Sequence, residues 1–420
     1  MKPLCLIPLA LSLLGLSACG PNLRATQSVQ PKLLFSLEYG LQDRMIGLPE
    51  GRARDVELFM REGIFHILDP VSEKILRTSS YGDLLSTLYD PETAPQPSFN
   101  HVRANADKGS DSEPSGSGGR YAAATSFVHP SRISVDSAQR IYVADRLGDS
   151  EAAVFDPLTG SYYDWIIRRF GENGRELQFL GREGALGSAF PKILSIDCLS
   201  DDSIVAVSTS GSLYTVYRYS SDARLLSSFG IDSASLPVPL DLVDSTQDAA
   251  SAGKIHADLE AIIPQKSASG FDVILKLNYY REAFNPNASV KTGPEDSGSW
   301  IFSMDGRTGS QNFGFRLEQS ESASLEWELI GVYKEGFLLV SQQTRLREAT
   351  GETGPGLPDQ EERRKLRFVD HSGKTLSSAE IRIPGEGGLL RPLRLSSTGQ
   401  LYGIVLGSDD AKILWWELPF

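Results

Sequence analysis

Five polar residues recur at one point of a repeated pattern, and their chemistry sets the first question. Phe65 to Asp69, Ile141 to Asp145, Ile204 to Ser208, Ile274 to Asn278 and Phe337 to Ser341 each run from an apolar start to a polar end. Held at one height around a ring, Asp69, Asp145, Ser208, Asn278 and Ser341 would offer oxygens to a cation or hydrogen bonds to a polar ligand. A hard cation such as Ca²⁺ takes roughly six to eight oxygens, and carboxylates at Asp69 and Asp145 alone are a thin supply. The competing role is local: Asp, Asn and Ser at such points cap the turn that follows.

No catalytic set stands beside them. His66, His101, His129, His256 and His371 are scattered, without HExxH or His-x-His spacing. No G-x-S-x-G occurs, and no Cys–His pairing suggests a nucleophile. His66 alternates within a strand-like run and reads as a packed or surface residue. Arg345, Arg347, Arg363, Arg364, Lys365 and Arg367 form a basic cluster diluted by Asp359, Glu361 and Glu362, which reads as a solvated segment with internal ion pairs. The expected cofactor is therefore none, with a divalent cation held by Asp69 and Asp145 as the alternative.

The remaining reactive side chain is at the N-terminus. Lys2 gives a short positive region, and Leu4 to Leu16 is apolar but too short to span a bilayer comfortably. Leu16-Ser17-Ala18-Cys19 follows and resembles the lipobox of bacterial lipoproteins. The resemblance implies that residues 1–18 are removed, that the Cys19 thiol carries the lipid (palmitate among its acyl chains), and that residues 19–31 are a tether. Acyl chains at Cys19 would anchor the protein without a transmembrane helix. Of the three cysteines, Cys5 leaves with the signal and Cys19 is acylated. Cys198 is then unpaired and reads as a buried, inert thiol. The implied address is a bacterial cell envelope, at an outer membrane or cell surface rather than an inner membrane.

Composition bounds the partners. The 420 residues are 40% hydrophobic and 23% charged, an ordinary globular composition. A net charge of −13 argues against nucleic acid and against a polybasic hold on anionic lipid.

The elements that must position these residues are short strands. Runs of four to six residues rich in β-branched and aromatic side chains recur in groups of four, about 40 residues per group without connectors. The stretch Phe127 to Gly171 shows the pattern, with runs Arg132 to Val135, Arg140 to Ala144, Glu151 to Phe155 and Tyr162 to Phe170. Four-run groups also begin near Val56, Lys192, Leu259 and Trp327. The last group, from Pro392, has only three runs. Lys32 to Gly40, an orphan run ending in Tyr-Gly like Phe170-Gly171 and Phe229-Gly230, supplies the missing outer strand. The expected fold is all-β: a six-bladed β-propeller over residues 32–420, closed by its N-terminal strand. The count becomes seven if two units between Glu318 and Val369 are merged. Residues 90–125, rich in Ser, Gly, Pro and Asp, are expected as a disordered insertion.

Pro130, Ile133, Val135-Asp136, Ile141-Tyr142-Val143-Ala144-Asp145 and Val154-Phe155-Asp156 resemble an NHL repeat, a family that builds six-bladed propellers. The layout of a lipobox followed by YG…GR..DVELF.R.GIFHI.D also resembles uncharacterised lipoproteins of spirochaetes, which implies fold and address but no chemistry.

Within each group the long connections fall on one face: 90–125, 171–190, 230–258, 279–299 and 342–364. Binding residues concentrate on loops carried by rigid scaffolds. The expected function is therefore a lipid-anchored scaffold that binds an envelope protein or cell-wall component through this face. The alternative is a metal-dependent propeller hydrolase or lactonase at the channel mouth.

Overall fold

A computed structural model describes residues 27–47, 56–98, 120–148, 153–244, 254–267, 270–285, 290–318, 326–334, 336–341, 362–384 and 389–419. Three strands open the described chain: Gln27–Val29 (β1), Lys32–Tyr39 (β2) and Met45–Ile46 (β3). Blade 1 is Glu57–Arg61 (β4), Ile64–Asp69 (β5), Lys74–Ser79 (β6) and Leu84–Tyr89 (β7), with Tyr121–Ala124 (β8) added parallel to β7. Blade 2 starts with Pro130–Val135 (β9) and Ile141–Arg146 (β10). A separate hairpin follows, Val154–Asp156 (β11) and Ser161–Tyr163 (β12). Trp165–Phe170 (β13), Glu176–Gly181 (β14) and Gly184–Ala185 (β15) complete the blade. Blade 3 is Lys192–Cys198 (β16), Ile204–Ser210 (β17), Leu213–Tyr219 (β18) and Leu225–Asp232 (β19). A 3₁₀ turn, Ser233–Ser235, and a short helix, Leu240–Asp244 (α1), lead to blade 4. Blade 4 is Ile255–Ser267 (β20), Gly270–Asn285 (β21), Val290–Asp305 (β22) and Gln311–Arg316 (β23). Blade 5 is Trp327–Tyr333 (β24), Gly336–Ser341 (β25), Glu362–Asp370 (β26) and Thr375–Ile383 (β27), with β1 parallel to β27. Blade 6 is Leu389–Leu395 (β28), Leu401–Leu406 (β29) and Asp410–Trp416 (β30), completed by β2.

The six-bladed ring and its closing strand are as the sequence predicts. β2 pairs antiparallel with β30 from Lys32↔Trp415 to Glu38↔Asp410. Of the two matching ends, Phe229-Gly230 does lie in a fourth strand, β19, but Phe170-Gly171 does not close one. Phe170 ends the third strand of blade 2, β13, and not the fourth. The predicted third run of that blade forms β11, which pairs only with β12 and stands outside the blade. The place beside β10 that it was expected to fill is taken by β13. The true outer strand β14 lies inside 171–190, a stretch that the sequence presents as a long connection. Val154-Phe155-Asp156, part of the NHL-like pattern, therefore belongs to an inserted hairpin.

Two other boundaries shift. Gln27–Val29, read as tether, adds a strand to blade 5. Within 90–125, read as disordered, Tyr121–Ala124 pairs with β7, and Asp90 caps a turn by accepting from Glu92 N at 2.8 Å. Residues 99–119 lie outside the described residues, as do residues 1–26 with Cys19.

The tight turns match their chemistry. Glu62 and Gly63 both have positive φ, 52° and 79°, as the two-residue β4–β5 hairpin requires. At the outer turns of blades 4 and 5, Asp305 accepts from the Thr308 and Arg307 amides, and Asp370 accepts from the Ser372 hydroxyl and then from the Ser372 and Lys374 amides, which holds both carboxyls below the usual carboxylate range.

The core lies between blades. Six apolar clusters each bridge one neighbouring pair, so every blade is packed on both faces. Phe35 and Leu37 of β2 pack with Phe65 and Ile67 of blade 1 and Ile404 of blade 6, which seals the last interface.

Candidate binding face

The five polar strand ends hold equivalent places in five blades, but their side chains work locally. Asp69 is fully buried. Its Oδ1 accepts from Val71 N and Ser72 N at 3.1 and 3.3 Å, and its Oδ2 from Gly47 N at 2.6 Å. It caps its own turn and pins the segment after β3. The neighbouring Lys74 ammonium, pushed down by burial, donates to the Leu41 and Gln42 carbonyls. Asp145 accepts from His129 N at 2.7 Å and Val128 N at 3.2 Å, and faces Arg168 Nη1 at 3.4 Å. Burial raises its carboxyl, against the pull of those amides and Arg168. Asn278 is bonded to Lys276, Glu260 and Ser299, and Ser341 Oγ accepts from Lys365 N at 2.9 Å. Ser208 alone is buried with a hydroxyl that has no partner. Four of the five are thus committed to their own blades or to the segments beside them. The described residues contain no group of three or more His, Cys, Asp or Glu placed to hold a metal ion.

Other predicted residues follow the same logic. His66 is fully buried. Cys198 is free and half-buried rather than buried as expected; its backbone N–H donates to Ser134 Oγ, and desolvation pushes its thiol up. In the basic segment Arg363 pairs with Glu380 and Arg364 with Glu362, while Arg367 lies over Trp327. Arg345 and Arg347 lie outside the described residues.

The asymmetry of the two faces survives the corrected blade and becomes sharper. The β13–β14 connection is a tight turn, with Gly171 N donating to Arg175 O at 2.8 Å. The β11–β12 hairpin moves to the opposite face, with the other long connections. On that face blade 4 carries an arm, because β21 and β22 stay paired from Asp272↔Asp305 to Asn285↔Val290. Helix α1 is clamped against the arm by Arg281 Nη2 to Leu242 O at 3.0 Å. Tyr279 Oη also donates to Pro237 O.

The β11–β12 hairpin is held from below. Ser210 Oγ donates to Ser161 Oγ at 2.9 Å, Arg182 lies over the Tyr163 ring, and Tyr163 Oη donates to Asp156. Its apolar side chains point outward instead. Val154, Phe155 and Tyr162 are exposed, Leu158 is 95% exposed, and the Phe155 and Tyr162 rings lie 5.0 Å apart. The next turn adds exposed Leu213, and the segment around α1 adds Val238, Val243 and the 79%-exposed Leu240. Ser233 N donates to Ser212 O at 2.9 Å and links that turn to the α1 segment. An apolar strip therefore runs over blades 2 to 4. Sequence reasoning missed it by placing Phe155 and Tyr162 in core strands. The available signal was Asp156-Pro157-Leu158-Thr159-Gly160, a turn flanked by runs too short for a blade.

Neither a known protein family nor a curated protein matches the chain. Among solved structures, it is similar to a glucose dehydrogenase at 10% identity and TM-score 0.38, over 92% of this chain and 99% of that one. It is also similar to a DUF4221 family member from Bacteroides vulgatus, at 8% identity and TM-score 0.35, over 93% and 99%. A protein of unknown function from Bacteroides caccae aligns at 10% identity and TM-score 0.25, over 77% and 92%. At these scores the likenesses carry no functional argument; the propeller rests on this chain's own sheets.

Proposed function

We propose that this chain is a lipid-anchored protein of a bacterial envelope that binds another envelope protein, or a cell-wall component, through its loop-rich face. The apolar strip from Val154 to Val243 is the observation that carries the binding role. Aromatic and aliphatic side chains on a protruding hairpin gain little in water and are the residues that dominate protein interfaces. The anchor and the address rest on the lipobox-like Leu16-Ser17-Ala18-Cys19, and the NHL-like pattern rests on the sequence of blade 2. No helix among the described residues is long and apolar enough to cross a membrane. The metal-dependent hydrolase has less support, since Asp69 and Asp145 would have to release the amides they hold.

Crosslinking in intact cells followed by capture of the protein tests the role. The triple variant Phe155→Ser, Leu158→Ser, Tyr162→Ser should lose its crosslinked partner at least tenfold while melting within a few degrees of the parent, because these side chains are exposed. An unchanged crosslink pattern would count against the face. Palmitate labelling tests the anchor separately: Cys19→Ala should abolish label and membrane retention.

A further inference from the structure

One sheet edge, away from the apolar strip, is only partly covered. β2 pairs with β30 along one edge. Along its other edge only Glu38 and Tyr39 are paired, with Met45 and Ile46 of β3, which runs parallel to β2. Among the described residues no strand covers that edge from Lys32 to Leu37, so alternate residues there turn unpaired N–H and C=O groups outward. The register with β30 shifts between Leu33 and Phe35 and is regular beyond it, so the open regular stretch is Phe35, Ser36 and Leu37. Two other blades show what such a place accepts. In blade 5 the outer strand β27 is covered by the 3 residues of β1, and in blade 1 β7 is covered by the 4 residues of β8, both in parallel.

Beside the open stretch lies a groove of about 660 Å³, lined in part by Ser36, Glu38, Asp43, Arg44, Met45 and Ser98. Ligand sites commonly measure roughly 300–1,000 Å³. Met45 opens β3, which lies on the uncovered side of β2, and it shares the groove with Ser36. The groove therefore continues the slot that β3 begins to fill. Its walls are fixed to blade 1. Ser98 N donates to Asp43 Oδ2 at 3.0 Å, and Ser98 Oγ donates to the same carboxylate. Lys74 holds the Leu41 and Gln42 carbonyls, and Asp69 holds Gly47 N. Phe35 and Leu37 are buried, which leaves the alternate residues Ser36 and Glu38 facing out. Glu38 and Arg44 are both exposed, and among the described residues neither makes an ion pair within 4.0 Å. The groove thus offers a short backbone ladder with one free acid and one free base beside it. Another extended chain matches such a ladder group by group, and its side chains can answer the two charges.

We propose that this slot receives an extended strand of a partner protein, paired through its backbone with Phe35–Leu37, with a basic side chain toward Glu38 and an acidic one toward Arg44. The site is separate from the apolar strip and does not rest on the role proposed for that strip.

The test uses the full chain carrying Cys19→Ser, so that it is purified without lipid. Random decapeptides displayed on phage are selected on it, and the strongest sequence is synthesised and titrated by calorimetry. It should bind at one site per chain. Ser36→Trp, which fills the groove from an exposed position, should weaken binding at least tenfold, and Glu38→Arg and Arg44→Glu at least threefold each. The two charge reversals, also at exposed positions, keep the test valid if Ser36→Trp fails to fold, as monitored by circular dichroism. Methylating the peptide's backbone nitrogens one at a time should weaken binding at least tenfold at every second position of the bound segment, because only alternate amides face β2. The triple variant Phe155→Ser, Leu158→Ser, Tyr162→Ser should bind the peptide as the parent does. Four results overturn the proposal: no decapeptide binds the folded protein; binding is unchanged in Ser36→Trp or in both charge reversals; methylation is tolerated at every position; or the chain without peptide is a dimer that Ser36→Trp dissolves, which would give the slot to a second copy.

Discussion

At the scale of single residues, the polar groups in this ring are mostly consumed by their surroundings. Asp69 and Asp145 were legible in the sequence as strand-end acids, but the amides that hold them come from Gly47, Val128 and His129, which periodicity cannot place. His66 shows the cost of burial most directly. Both ring nitrogens lack a hydrogen-bond partner, and burial, with the Arg77 charge second, lowers the imidazole to about 3. In the unfolded chain it titrates near about 6.5, so the unfolded state takes up a proton that the folded state refuses. The stability it contributes is present above about pH 6.5 and is lost as pH falls toward about 3. Between pH 7 and pH 4 the loss should reach about 3 kcal/mol, at about 1.4 kcal/mol per pH unit below 6.5. His66→Phe should remove most of that slope in urea unfolding compared at the two pH values. The raised carboxyls of Asp145 and Asp197 act in the opposite sense and are common to both proteins. Equal losses in parent and variant would discard this account.

At the scale of elements, the strand pattern was readable wherever four runs of similar length followed one another, as in blades 1 and 3. It failed in blade 2 because a surface hairpin and a core strand share the same apolar alternation. Only pairing separates them: β13 lies against β10 and β14, while β11 has β12 alone. The closing strand β2 gives a clean contrast within one element. Leu37 is fully buried against blade 1, whereas Leu33 is exposed ahead of the register shift between Leu33 and Phe35. Leu37→Ala should cost about 3 kcal/mol by removing core volume. Leu33→Ala should stay within about 0.5 kcal/mol, as exposed positions do. Thermal or chemical denaturation of the two variants would decide the point, and similar costs would place β2 differently.

At the scale of the whole molecule, closure decides whether the ring is one cooperative body. A chain that starts at Gly40 lacks β1 and β2, leaving β30 as a bare edge and the interface between blades 6 and 1 without Phe35 and Leu37. Such a chain should lose its single sharp thermal transition and self-associate through the exposed edge, as measured by circular dichroism and light scattering. A monomer melting within a few degrees of the parent would mean that six clusters are not all needed. By itself the sequence determined the all-β class, six repeating units, the closing role of Lys32 to Tyr39 and the one-sided placement of long connections. Those features follow from local periodicity, turn chemistry and connector length, each written in contiguous residues. Only the tertiary structure decided which short runs belong to blades, which side chains face outward, and which charges meet between blades. Glu57, Arg132 and Arg394 are far apart in the chain; packing of blade 2 on blade 1 brings Arg132 to Glu57, and ring closure brings Arg394 to it.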